Sequence, residues 1–392
     1  KEAFEKANPD VVVLILNPQG RPQVILEAAE KLPDILAPNS FGLYKDRTAL
    51  ISLNKFIERD KAELDPDDFY KTLLDSGKVN DDQFMIPYFY NVSLLYYNVD
   101  MFKEAGVPLP DGKWDWAAYV KASAAITKHY HDKGETEVFG TSIVKGWWVE
   151  WLAHAHQAGG QLIGDDWQNS PFDSEQAAEG LQFYHDLVHK YKVAQKPSKM
   201  GGKPFLNQKT AMKFAGHTND WIGLRKDAGF EWDITLLPTH KSGSKGGERV
   251  SVGFGITKAS KHKDLAWEFI KFFVNKENSA RFCESGWIPV RKSVFKETFS
   301  KREANGKFLQ SPQHKTIVLE ALNQCREQSR MPEFASLAYH QAQPFIDQLM
   351  RQDIDSRKCA ELIGEKVSNT MKLYNRLNPE YDYEAKKLKV KK

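Results

Sequence analysis

The segment Phe84-Met85-Ile86-Pro87-Tyr88-Phe89-Tyr90-Asn91-Val92-Ser93-Leu94-Leu95-Tyr96-Tyr97 contains two short apolar runs. Each run, Phe84 to Pro87 and Ser93 to Tyr97, predicts a β-strand, because apolar, β-branched and aromatic residues suit a buried pleated surface. The segment Trp116 to His129 has the apolar spacing of a helix. Strands and helices alternate in this way along most of the chain, which predicts an α/β fold with mainly parallel sheets.

The same alternation extends toward both ends of the chain. Val11 to Leu16 indicates a strand, Val24 to Lys31 a helix and Asp34 to Ala37 a short strand, together a βαβ unit. Residues Gln313 to Tyr374 are helical in pattern throughout, which predicts a helical C-terminal segment. Further predicted elements are the strands 139–143, 211–215, 232–236 and 253–257 and the helices 2–7, 174–189, 265–275 and 278–283.

Length and composition limit the possible classes of protein. The 392 residues exceed what one hydrophobic core usually organises, so we expect two domains. The 55 basic and 52 acidic residues are too balanced to direct the chain toward nucleic acid. No apolar run approaches the roughly 20 residues of a membrane-spanning helix. Because the chain opens at Lys1, inside a predicted helix and without methionine, we expect a further segment upstream.

The three cysteines, Cys283, Cys325 and Cys359, lack the short spacing of metal ligands. Cys325 and Cys359 both lie in helical C-terminal sequence. They either pair in an oxidising compartment or remain two buried thiols, and the sequence leaves both possibilities open.

Several motifs resemble those of one protein family. They are Met85-Ile86-Pro87-Tyr88, Leu95-Tyr96-Tyr97-Asn98-Val99-Asp100-Met101-Phe102-Lys103-Glu104-Ala105-Gly106-Val107 and Trp114-Asp115-Trp116. Together they resemble the signature of extracellular solute-binding proteins of the maltodextrin-binding type, the family 1 carbohydrate binders that feed ABC importers. Matching segments continue in order to about residue 295. The sequence departs at Lys113, where the family usually has threonine, and Asp115 can replace the helix cap lost there.

The resemblance implies both a fold and a function. The fold is a two-lobed, type II-like periplasmic-binding-protein fold whose discontinuous lobes are joined by a hinge. By position, the first lobe comprises residues 1–91 and 257–312, and the second comprises residues 92–256 and 313–392. The implied protein is extracytoplasmic, monomeric and free of cofactors. It closes on a mono- or oligosaccharide and delivers it to the permease subunits of an ABC transporter.

Candidate ligand-binding residues are aromatic or hydrogen-bonding residues at predicted strand ends, because sugars offer C–H faces to rings and hydroxyls to polar groups. Trp147 and Trp148 follow Lys145-Gly146, directly after a predicted strand that ends at Val144, and α/β sheets bind ligands at the carboxyl ends of strands. Asn39, Ser40 and the segment 88–91 match loops that line the cleft in the family. The full set is Asn39, Ser40, Tyr88, Tyr90, Asn91, Trp147, Trp148, His217, Asn219, Asp220, Trp221, Phe254, Trp287 and Arg291.

Each candidate also has a structural explanation. Any single aromatic ring can belong to a core instead of a site. Asp220 either accepts sugar hydroxyls or, like Asn219, caps the helix that begins near Trp221. Arg291 either clamps an anionic ligand or forms a surface ion pair.

Other functional classes find less support in the sequence. No spacing singles out a carboxylate pair for glycan hydrolysis, and no phosphate loop, dinucleotide motif or nucleophile elbow is present, so we expect no enzymatic activity. The pairs His129 and His131, and His154 and His156, point in different directions on a helix, which argues against a metal site. Two alternatives stay open: the same fold binding a phosphorylated polyol, a polyamine or another non-sugar solute, and a sensor or adhesion protein that binds glycan without transport.

Overall fold

The structure, a computed structural model, describes residues 1–15, 32–40, 42–144, 146–196, 203–218, 220–244, 246–301, 312–327, 329–331 and 333–379. The chain divides into two compact units. Unit 1 comprises Lys1–Tyr90 and Ser251–Phe299, and unit 2 comprises Asn91–Val250 and Ser300–Lys392. The lobe boundaries expected from the resemblance remain a prediction.

The chain changes unit three times: twice inside a strand, and once between Phe299 and Ser300. The described strands are β1 (Ile35–Leu36), β2 (Lys78–Val79), β3 (Asp82–Gln83), β4 (Ile86–Asn98), β5 (Met212–His217), β6 (Trp232–Thr235), β7 (Glu248–Ile256) and β8 (Arg326–Glu327). The chain leaves unit 1 between Tyr90 and Asn91, inside β4, and returns between Val250 and Ser251, inside β7.

Helices form most of the remaining regular structure. The α-helices of unit 1 are Glu2–Ala7, Leu43–Asp46, Asn54–Arg59, Lys61–Leu64, Lys71–Asp75, Lys263–Val274, Lys276–Glu284 and Lys292–Val294. Those of unit 2 are Val99–Glu104, Trp116–Asp132, Trp148–Ala158, Glu175–His189, Asp220–Asp227, Val318–Gln324, Phe334–Ser336, Gln343–Arg351 and Ser356–Leu377. Short 3₁₀ segments cover Pro66–Asp68 and Lys315–Ile317, and π-helical segments cover Phe295–Phe299 and Leu337–Ala342.

The predicted parallel character of the sheets is wrong. In unit 2, β4 pairs antiparallel with β5 on one side and with β6 on the other. In unit 1, β1 pairs antiparallel with β7, and β2 with β3. Of the pairings between described strands, that of β7 with β8 is parallel. An alternation of strands and helices along the chain does not fix the direction of pairing, because β1, β4 and β7 pair with strands that are far apart from them in sequence.

Strand β4 joins the two strands predicted from the opening segment into one. All but one of its thirteen residues are buried, so no polar face marks a break. The residues between the two predicted runs are aromatic and β-branched, and these types favour extended backbone. One continuous strand therefore carries the chain through Tyr88, Tyr90 and Asn91.

Three other predicted elements differ in the structure. Val11–Ile15 has no regular structure, and Val12, Leu14 and Ile15 are exposed, because no described strand hydrogen-bonds to this segment; Leu16 and the predicted helix 24–31 lie outside the described residues. The predicted strand 139–143 is reduced to isolated bridges at Phe139 and Thr141. The C-terminal segment is helical as expected except for the short strand β8.

Several described helices begin at a side-chain cap, among them the one proposed at Asp115. Asp115 accepts a hydrogen bond from the amide of Ala118 at 2.8 Å and starts the helix Trp116–Asp132. Ser174 does the same for Ala177 at 3.2 Å. Asn275 caps the helix Lys276–Glu284. Among the described residues, no helix combines the length and hydrophobicity of a membrane span.

Candidate functional site

Unit 1 presents a cluster of aromatic rings around Tyr88 and Phe254. These two rings are stacked, with centroids 4.5 Å apart and planes 17° from parallel. The edges of Phe273 and Phe282 pack on Tyr88 at 5.3 and 5.6 Å. Burial raises the pKa of Tyr88 to about 12, so its hydroxyl stays protonated and can donate a hydrogen bond at neutral pH.

Trp287 extends this cluster. Its ring lies parallel to Phe282, with centroids 5.2 Å apart and planes 5° from parallel, and the edge of Phe89 contacts it at 4.5 Å. Tyr88, Phe254 and Trp287 each remain partly exposed. We call Tyr88, Phe254, Phe282 and Trp287 the aromatic cluster. Such a surface can pack against the C–H face of a sugar ring.

The predicted polar residues of unit 1 bond to the protein. Ser40 is buried, its amide donates to the carbonyl of Ser251 at 2.9 Å, and its hydroxyl accepts from the amide of Ser251 at 3.3 Å. Asn39 is partly exposed, and its side-chain oxygen accepts from the amide of Gly42 at 2.7 Å. Tyr90 is fully buried. Of these three, Asn39 alone retains exposed surface.

Arg291 forms an ion pair, but a buried one. It is 3% exposed, so the expected surface ion pair is wrong. Its guanidinium donates to the carbonyls of Val274 and Leu64 and lies 3.1 Å from the carboxylate of Asp68. The guanidinium also packs on Phe69 at 4.3 Å. These contacts within unit 1 use the donors that clamping an anion would need.

In unit 2, Trp147 and Trp148 lie at the start of a buried helix. Trp147 is partly exposed, immediately before the helix Trp148–Ala158, and Trp148 is buried against Phe334 and Tyr339. A buried acid on this helix, Glu150, accepts a hydrogen bond from the amide of Val144 at 2.6 Å. Glu150 therefore fixes the start of the loop that carries Trp147.

His217 lies at the end of β5, next to Trp147. The two rings meet edge to face, with centroids 5.4 Å apart. The backbone of His217 is held on both sides: its carbonyl accepts from the Tyr96 hydroxyl at 2.6 Å, and its amide donates to Asp220 at 3.1 Å. Its Nε2 lies 2.9 Å from Oε1 of Glu248, which is ion-pair distance, although the ring is turned away from ideal hydrogen-bond alignment.

The remaining candidate residues of unit 2 lie partly at the surface and partly in the core. Asp220 is partly exposed and forms an ion pair with Lys213 at 2.6 Å, so its carboxylate already has a cationic partner. Trp221 is fully buried, which corrects the expectation of an exposed ring; its indole packs in the unit 2 core and contacts Arg225. Asn91 is also buried and accepts from the Thr218 hydroxyl at 2.8 Å. Asn219 lies outside the described residues.

Two residues of this region were missed by the sequence analysis. Glu248 begins β7 and is 2% exposed. The sequence alone does not distinguish this buried glutamate from one that lies at the surface. Tyr339 is 37% exposed on the π-helical segment Leu337–Ala342. Such segments are rare and frequent at functional sites, but their sequences have no reliable signature.

The described residues contain no group of three histidine, cysteine, aspartate or glutamate side chains that could hold a metal ion. Cys283, Cys325 and Cys359 are buried and unbridged. The aromatic cluster of unit 1 and the Trp147–His217 contact of unit 2 both combine aromatic rings with hydrogen-bonding side chains. This chemistry suits reversible binding of a polar solute.

The fold is similar to that of known solute-binding proteins. A structure of an ABC substrate-binding protein from Listeria monocytogenes in complex with cycloalternan superposes with a TM-score of 0.81 at 22% identity, covering 94% of both chains. At this identity the likeness shows the fold alone.

Sequence comparison leads to the family. The chain matches the model of the bacterial extracellular solute-binding protein family over residues 1–307, and it belongs to that family. A binding protein of Brucella abortus is 24% identical over 60% of this chain, and the arabinooligosaccharide-binding protein of Bacillus subtilis is 26% identical over 69%. The matches span 58% and 63% of those relatives, less than two thirds of either.

Proposed function

We propose that this protein binds a mono- or oligosaccharide and delivers it to the permease subunits of an ABC importer. The observation that carries the proposal is the aromatic cluster of unit 1, in which the stacked rings of Tyr88 and Phe254 and of Phe282 and Trp287 remain partly exposed. Unit 2 adds Trp147 and His217, a ring and a hydrogen-bonding side chain in contact. Rings against C–H faces and polar groups against hydroxyls are the requirements of a sugar site.

The relatives support a carbohydrate. The Bacillus relative is named for arabinooligosaccharides, and the Listeria structure holds cycloalternan. The alternative of an anionic solute has less support, because Arg291, the cation named for it, is buried and bonded within unit 1. We infer an extracytoplasmic location and a binding role without catalysis from the family.

We propose further that units 1 and 2 act as lobes that close on the sugar by bending at the two strand crossings in β4 and β7. Closure of this kind buries the ligand and marks the loaded protein for the permease. Small-angle scattering with and without saturating ligand tests it, and an unchanged radius of gyration would count against closure.

Calorimetric titration tests the central proposal. Arabino-oligosaccharides, maltodextrins and a cyclic glucan form the panel, with glycerophosphodiesters and polyamines as non-sugar arms. We expect at least one carbohydrate to bind near micromolar affinity, about −8 kcal/mol, without release of products. Binding of a non-sugar solute alone would overturn the proposal in favour of the alternative.

A further inference from the structure

Glu248 is an acidic side chain in an unfavourable place. It is 2% exposed, and Oε2 has no hydrogen-bond partner in the part of the chain that the structure describes. A buried carboxylate with one open oxygen costs stability, and a buried pair is rarely retained for stability alone. Where a protein keeps a buried polar atom without a hydrogen-bond partner, it often does so at a functional site.

The partner of Glu248 is a residue of the candidate site. Oε1 lies 2.9 Å from Nε2 of His217, whose side chain is 12% exposed. The two residues are 31 positions apart in sequence, on β7 and β5, and β4 lies between these strands in the sheet order. They meet over Ser93, which pairs with His217 in the β4–β5 register and accepts a hydrogen bond from the Glu248 amide at 3.0 Å.

The contacts around His217 restrict its ring. Tyr96 and Asp220 hold its backbone, and Trp147 packs on one side of the imidazole. Because a carboxylate only accepts, the tautomer of His217 that can donate to Glu248 is the one with its proton on Nε2. The opposite nitrogen, Nδ1, is then the atom whose donor or acceptor role the rest of the site can use.

We propose that Glu248 is a positioning residue for ligand binding, one that fixes the orientation and protonation of His217 so that His217 contacts a sugar hydroxyl beside Trp147. The inference rests on the proposed function and deepens it. Glu248 itself is too buried to contact the ligand and acts through His217. A polar group that is already held in its binding orientation gives tighter binding, because its side chain loses little conformational entropy when the ligand binds.

The test combines binding with a direct view of the imidazole. Variants Glu248→Ala, Glu248→Gln, His217→Ala and the double variant are titrated with the sugar that wild type binds best, and long-range ¹H–¹⁵N NMR reports the protonated nitrogen of His217. Asp233→Ala is the matched control, because Asp233 is a buried strand acid of unit 2 that lies 2.6 Å from His314. Thermal unfolding verifies that each variant is folded at the titration temperature.

We expect Nε2 protonation in wild type and Glu248→Gln, and a mixture of tautomers in Glu248→Ala. Affinity should fall at least tenfold in Glu248→Ala and His217→Ala, no further in the double variant, and within about threefold in Glu248→Gln and Asp233→Ala. Wild-type affinity in folded Glu248→Ala or in His217→Ala would overturn the inference while the proposed function stands. If Glu248→Ala does not fold, His217→Ala decides. Absence of any carbohydrate binding by wild type would overturn the proposed function itself, and the inference with it.

Discussion

The backbone carbonyl of Glu150 lies 2.8 Å from Nδ1 of His154, one turn further along the buried helix Trp148–Ala158. A carbonyl only accepts, so Nδ1 carries the proton of this imidazole. Nε2 of His154 is buried without a hydrogen-bond partner among the described residues, as is Oε1 of Glu150. Two titratable groups are thus held neutral next to the loop of Trp147, and their effects on stability have opposite signs.

Glu150 should make the protein less stable as pH rises. Burial raises its pKa from 4.5 to about 8. Between those values the folded state holds a proton that the unfolded state has released, so the free energy of unfolding falls with rising pH. Glu150→Gln keeps an acceptor for the Val144 amide and cannot ionise. Urea unfolding at pH 6.5 to 8, above the range in which His154 titrates, should show a decline of about 2 kcal/mol in wild type and little in the variant. An equal decline in both would contradict this assignment.

His154 should act on the acid side. Burial lowers its pKa from 6.5 to about 4, so the unfolded state binds a proton that the folded state refuses, and stability is lost as pH falls through this range. His154 stacks on Phe214 at 4.1 Å, so phenylalanine fits the same environment. Relative to wild type, His154→Phe should gain free energy of unfolding as the pH falls from 6.5 to 4.5, measured by urea titration. From pH 4.5 to 6.5 the Glu150 and His154 effects oppose each other in wild type, so each slope is clearest in the variant that lacks the other group.

The aromatic cluster predicts a binding defect without a large folding defect. Trp287→Ala and Phe254→Ala remove partly exposed rings. Each should weaken sugar binding by roughly tenfold, which corresponds to the loss of one stacking contact of about 1.4 kcal/mol. Phe230→Ala is the control, since Phe230 is also partly exposed and packs edge to face on Phe205 in unit 2. Calorimetric affinities that fall equally in all three variants would indicate a general loss of packing.

Arg291 should be structural. Its removal leaves the partly exposed Asp68 without its cation and the buried carbonyl of Leu64 and the carbonyl of Val274 without their donor. Arg291→Ala should lower the free energy of unfolding by about 3–5 kcal/mol, and denaturant titration measures the change. The affinity of the remaining folded protein for sugar should stay at the wild-type value. A selective loss of binding at unchanged stability would restore the ligand-clamping role.

The sequence predicts the fold better than the site, and particular residues show why. Long periodic helices and the cap Asp115 could be predicted because their signals are local. Strand direction could not, since the partners of β4 are more than a hundred residues away. The aromatic cluster was partly predictable from Tyr88, Phe254 and Trp287. The pairing of His217 with Glu248 was not, because it depends on a register across three strands.

Ser93 offers the sharpest test of that register. It lies under the His217–Glu248 pair, and little space surrounds it: a β-carbon on Gly247 would come within 2.8 Å of the Ser93 β-carbon. Ser93→Ala removes the hydroxyl that accepts a hydrogen bond from the Glu248 amide and adds no atoms. It should therefore cost about 1 kcal/mol of stability and keep most of the sugar affinity. Ser93→Val places two methyl groups in this crowded space and should push His217 and Glu248 apart. We expect a loss of affinity close to that of Glu248→Ala and a change in the His217 tautomer. Unfolding and NMR measurements on both variants separate the two effects, and a valine variant with the wild-type tautomer would show that Ser93 does not control the pair.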